Sequence, residues 1–152
     1  MGKGIYFDEF EVGLEIETPA RTVTETDVVQ FAQLSGDFNA IHCDAEYAKD
    51  TPYGQRIAHG LLGLSIASGL AVRSGFIEET VIAFTGLSWK FRKAVLIGDT
   101  IRLRARTKKT RAMRSMGGGM VTFDIAVLNQ RDETVQQGEW TMLVKGREPG
   151  PA

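Results

Sequence analysis

Cysteine, histidine, net charge and long apolar runs are all scarce in this chain. A single cysteine, Cys43, in 152 residues excludes an intrachain disulfide framework and suits a reducing compartment. A formal net charge of −1 supplies no global field to draw the chain to nucleic acid or to an anionic membrane. The longest apolar stretch, residues 60–72, falls short of the roughly 20 residues that span a bilayer. The opening "MGKGIYFDEF" has no basic segment followed by an apolar run, and Tyr6 stands where a myristoylation pattern wants Ser or Thr. Internal repeats, low-complexity tracts and dividing linkers are also missing. These absences lead to the expectation of a soluble, cytoplasmic protein.

What remains is ordinary globular composition, 43% hydrophobic and 24% charged, at the length of one domain. A chain of this size often gains stability by oligomerising. "LEIETPARTVT" reads as a first strand interrupted by Pro19. Thr24 and Asp27 form a capping-box pattern ahead of Val28, Phe31 and Ala32, so a helix is expected over 25–34. From Leu61 to Val72 every position is apolar or small, which predicts a helix buried all round. The second half alternates. Ile101, Leu103 and Ala105 share one face, as do Val121, Phe123, Ile125 and Val127, and then Trp140, Met142 and Val144. A strand is also expected around 81–91, with turns at Gly117 to Gly119 and at Asn129 to Glu133. The order implies an α+β fold, an antiparallel sheet with one central helix on one face. One domain is expected over 1–146, with a loose tail at 147–152.

Chemistry concentrates in "GDFNAIH", residues 36–42. On a regular helix Asp37 and His42 would point about 140° apart. On a strand they would occupy opposite faces, roughly 16 Å apart. The two meet only if the segment folds back as a loop, which Gly36, Asp37 and Asn39 favour. A carboxylate and an imidazole so joined can hold one water and exchange a proton with it near neutral pH. The same residues also suit a glycine C-cap followed by an Asx turn with no catalytic purpose. Spacing alone leaves both readings open.

"FAQLSGDFNAIHCDAEYA", "IAHGLLGLSIASGL" and "LSWKFRKAVLIGDTIRLRART" together resemble the MaoC-like hydratase family, the (R)-specific enoyl-CoA hydratases and related acyl dehydratases. The resemblance runs from about Asp8 to Val144. It implies a hot-dog fold, a curved antiparallel sheet wrapped around one long helix. It implies a homodimer without a cofactor or a metal, acting on acyl-CoA or acyl-carrier-protein thioesters in fatty acid metabolism. By the same resemblance Asp37 and His42 are the acid–base pair. Asn39 orients the loop or the water, the Gly60 N–H meets the thioester oxygen, and Ser68 supports the site. Ala40 stands where the family commonly has proline, which leaves the loop less rigid. The implied reaction is hydration of a trans-2-enoyl-CoA to the (R)-3-hydroxyacyl-CoA, or the reverse. Rivals are a 3-hydroxyacyl-acyl-carrier-protein dehydratase, a hot-dog thioesterase and a non-catalytic acyl-binding subunit.

Other polar residues receive plainer expectations. His59 reads as a helix-start residue bonded to backbone, and Asp44 as the N-cap of a short helix through Tyr47. Cys43 adjoins His42, and neighbours on an extended chain point apart, so a Cys–His nucleophile is not expected. A metal site on Asp37, His42 and Asp44 would have few soft or nitrogen ligands to draw on. Arg102, Arg104, Arg106, Lys108, Lys109, Arg111 and Arg114 form the one basic cluster, read either as a solvated sheet face or as a seat for phosphates.

Overall fold

The computed structural model describes residues 4–147. Two short strands, β1 (Glu15–Glu17) and β2 (Arg21–Thr22), flank Pro19. Proline has no N–H for a ladder, so the expected first strand is split in two. Helix α1 (Glu25–Ser35) starts as the capping box requires. Thr24 Oγ1 accepts from the Asp27 N–H, and the Asp27 carboxylate accepts from the Thr24 N–H at 2.8 Å. Two short helices follow, α2 (Ala40–Cys43) and α3 (Ala45–Lys49), the second capped by Asp44 through the Tyr47 N–H. The long helix α4 (Gly60–Arg73) precedes β3 (Val81–Phe91), β4 (Thr100–Met113), β5 (Gly118–Leu128) and β6 (Thr134–Lys145).

The strands form one antiparallel sheet in the order β1-β4-β5-β6-β3, with β2 also on β4. Its inner face carries the expected alternating residues. Ile101, Leu103, Val121, Phe123, Val127, Trp140 and Val144 are almost wholly buried. They pack with Leu62, Ile66, Ala67 and Leu70 of α4 in one core. The sheet therefore surrounds the helix on the side that this core occupies.

One expectation needs correction. Helix α4 is not buried all round: Leu61, Ser65, Gly69 and Val72 are exposed. These positions recur every three or four residues and make one stripe. A single sheet covers one side of a helix, so uniform apolarity here does not mean uniform burial within the chain. Arg147, the first residue of the expected tail, bonds back to the chain's start. Its N–H donates to the Asp8 carboxylate at 2.8 Å and its guanidinium to Glu9 at 2.7 Å. The rest of that expected tail lies outside the described residues. No described helix is long and apolar enough to cross a membrane.

Candidate active site

The segment after α1 is built by short-range polar bonds. Gly36 caps the helix in the left-handed region, φ 77°, a conformation that costs glycine nothing. Ser35 Oγ accepts from the Asp37 N–H at 3.1 Å. Asp37 Oδ1 accepts from the Asn39 N–H at 3.2 Å, an Asx turn. Asn39 Oδ1 then accepts from the Ile41 N–H at 3.3 Å and caps α2. The glycine cap and Asx turn are thus both present, and they are the means by which Asp37 is aimed. His42 sits on the helical turn α2, so only residues 36–39 are true loop, against the expectation of a loop reaching to His42. A single turn of helix suffices to rotate the imidazole back.

His42 Nδ1 lies 2.8 Å from the Ile57 carbonyl. A carbonyl oxygen only accepts, so Nδ1 carries the proton and the neutral ring presents its lone pair at Nε2. His59, the N-cap residue of α4, approaches from the other side. Its Nε2 lies 2.9 Å from the Asp37 carbonyl and therefore carries the proton. The two imidazoles stack with centroids 3.8 Å apart and planes at 27°. Phe31 lies against His59 at 4.9 Å. Donor atoms of Asp37, His42 and His59 all fall within 4.8 Å of one another. The group drawn to the pair is therefore His59, while Asp44 is spent as a helix cap. A cation there would find two ring nitrogens already committed to carbonyls.

A cleft of about 450 Å³ opens beside this cluster, lined by Tyr53, Ile57, Gly60, Leu61, Phe91 and Gln136 among others. Asp37 and His42 do not form its wall; they adjoin it through Ile57. Gly60 is the first residue of α4, and His59 caps that helix without a side-chain bond. The first-turn N–H groups thus keep a positive helix end toward the cleft. A Cβ at Gly60 would lie 2.7 Å from the Phe91 ring. A side chain here would force the Phe91 ring to move.

Ser68 is not drawn to the cluster. It lies more than two turns along α4, and its hydroxyl donates to the Ser65 carbonyl at 2.7 Å. Gln136, absent from the sequence expectations, is buried at the cleft floor with 1% exposure. Its amide donates to the Gly60 carbonyl at 3.0 Å and accepts from the Trp89 indole N–H at 3.1 Å. The signal was available. Gln136 is in phase with Trp140, Met142 and Val144, a polar residue on an apolar face.

The basic cluster turns outward. Arg102 pairs with Glu17 and, at 2.6 Å, with Asp132; Lys108 pairs with Glu139 and, at 3.7 Å, with Asp124. Hydrogen bonding to Arg102 lowers the Glu17 pKa from its usual value. These residues match a solvated sheet face, and none lines the cleft. Arg92 and Lys93 do line it. Lys93 lies 3.1 Å from Glu133, whose carboxyl is held down to about 2 by the Asn129 amide and by Lys93 itself.

A family model described as a MaoC like domain matches residues 9–127. The chain is 41% identical to Protein MaoC of Klebsiella aerogenes over 105 residues, 68% of this chain but only 31% of that protein. It is 31% identical to the 3-hydroxybutyryl-CoA dehydratase of Methylorubrum extorquens over 144 residues, 95% of this chain and 87% of that one. Among solved structures, the unliganded R-hydratase PhaJ1 of Pseudomonas aeruginosa superposes with a TM-score of 0.80 at 28% identity, covering 95% of this chain and 88% of that one.

Proposed function

From the premise that this chain belongs to the MaoC-like family of hydratases and dehydratases, we propose that it hydrates a trans-2-enoyl-CoA to the (R)-3-hydroxyacyl-CoA and catalyses the reverse dehydration. The observation that carries this reading is the convergence of the Asp37 carboxylate with the imidazoles of His42 and His59, ligand atoms within 4.8 Å of one another, with His42 Nδ1 committed to the Ile57 carbonyl. One water between them is oriented by Asp37 and gives a proton to His42 Nε2 as its oxygen bonds the β-carbon. The imidazolium then returns that proton to the α-carbon on the same face, so the pair ends as it began. Negative charge gathers on the thioester oxygen during attack. The Gly60 N–H at the open end of α4 is the donor suited to receive it.

A homodimer belongs to the same proposal. Among the described residues strand β3 pairs only with β6, leaving the sheet an edge there. Ile82, Phe84, Leu87 and Phe91 on that strand are exposed, as is the α4 stripe. A second copy is the partner that covers these surfaces together.

The deciding experiment incubates purified protein with enoyl-CoAs of increasing chain length, following loss of the conjugated double bond and the chirality of the product. An (R)-3-hydroxyacyl-CoA with its CoA retained is expected. Release of free CoA would favour the thioesterase reading instead. Asp37→Asn and His42→Ala are each expected to lower kcat at least ~10³-fold. Near-normal turnover in either variant overturns the mechanism.

A further inference from the structure

We infer that His59 is a positioning residue of this reaction, acting through Asp37 and His42; the inference rests on the hydratase reading above. The two residues of the pair lie on a short segment whose local bonds shape the turn but anchor neither residue to the rest of the fold. What closes it is a reciprocal clasp with residues 57–59. The His42 side chain bonds the Ile57 carbonyl, and the His59 side chain bonds the Asp37 carbonyl. The two bonds run in opposite directions between the same segments, so neither segment can slide without breaking one of them. His59 further lies between Phe31 and His42, with its ring stacked on the His42 imidazole. Rotation of His42 about its single Nδ1 bond is thereby blocked.

The placement of His59 is costly for a merely structural residue. It is 2% exposed, and among the described residues its Nδ1 is buried without a partner. An apolar ring of similar shape would fill the space between Phe31 and His42 without that loss. What phenylalanine would lack is the donor to the Asp37 carbonyl. The polarity of position 59 is therefore explained by what it does to Asp37, and not by packing.

This separates rate from stability. His59→Phe keeps the stacked ring and removes both the donor and the orphan nitrogen. It is expected to melt no lower than the unsubstituted protein while kcat falls about 10²-fold, the scale of a misplacement near 1 Å, and KM stays within about threefold. His59→Gln keeps an N–H donor without the ring. It is expected to melt lower yet retain kcat within about tenfold. The inference is overturned if kcat follows the melting temperature, with the Phe variant active and the Gln variant slow. Should either variant fail to fold, ¹⁵N-histidine NMR of the unsubstituted protein decides: ring 59 protonated at Nε2 supports the clasp, and protonation at Nδ1 removes it. Loss of the hydratase reading would appear separately, as turnover surviving in His42→Ala with the ring-59 tautomer unchanged.

Discussion

The inner face of the sheet and the segment from Gly36 to Gly60 sit side by side but hold their shape by different forces. On the sheet, Phe123, Val127, Trp140 and Val144 are almost fully buried, and long ladders fix their register. Stability there is collective and apolar. In the segment, Asp37 and Asn39 are respectively exposed and exposed-to-solvent neighbours of a half-buried His42. Order there comes from single bonds: Ser35 to Asp37, Asp37 to Asn39, Asn39 to Ile41, His42 to Ile57 and His59 to Asp37. The lesson is that one region can lose a group with little effect on folding and a large effect on chemistry, while the other behaves in reverse. Gln136 joins them, being rooted in β6 and bonded to Gly60.

The sharpest test of this division is a pair of substitutions. His42→Ala should lower kcat/KM at least ~10³-fold, about 4 kcal/mol of barrier, with the melting temperature nearly unchanged. Trp140→Ala should cost about 3–5 kcal/mol of stability and lower the melting temperature by roughly 10 °C or more. Enzyme that remains folded should keep its specific activity. Equal effects on both quantities in either variant would break the comparison. Gln136→Leu should show both kinds of damage. It leaves the Trp89 N–H without its acceptor, costing about 1–3 kcal/mol, and frees the Gly60 carbonyl, lowering kcat; differential scanning and steady-state kinetics on one preparation read both.

Smaller effects sharpen the boundary. In Asp27, burial pushes the carboxyl upward, but the Thr24 bonds and Arg21 pull its pKa net below the usual value. A folded-state pKa below the unfolded one gives stability that is present above the ordinary carboxylate range and is lost as pH falls through the folded value. Asp27→Asn should thus melt lower than the parent at neutral pH, by about 0.3–1 kcal/mol for the negative charge lost from the first helical turn. The gap should narrow on acidification, and a gap constant down to acid pH would count against this account. Smallest is Ala40→Pro. Ala40 opens α2, and Asn39 before it has φ −54° and ψ 135°, a conformation that tolerates a following proline. A gain of about 0.4–1 kcal/mol, or 1–4 °C, is expected with kcat unchanged. A fall in kcat would show that the site needs the looser turn.

Much of the scaffold was legible because local rules and tertiary outcome agree. The inward phases of β4, β5 and β6 follow from alternation alone, since a pleated strand with one buried face has no second register. The Thr24 box and the Gly36 cap are likewise local. Gln136 could have been found as a polar residue in an apolar phase. The exposed stripe of α4 could not, because an apolar helix reads the same whether sheet or partner covers it.

The candidate site divides in the same way. Residue type and spacing by themselves determined that Asp37, Asn39 and His42 form a turn able to join an acid to an imidazole, because the bonds that make that turn span two to four residues. Only the tertiary structure decided that His59 lies against the pair, that the free nitrogen of His42 is Nε2, and that Phe91 and Gln136 both hold Gly60. Those outcomes depend on contacts between segments 15 to 76 residues apart, and such contacts are set by how the helix seats on the sheet, which no local pattern encodes.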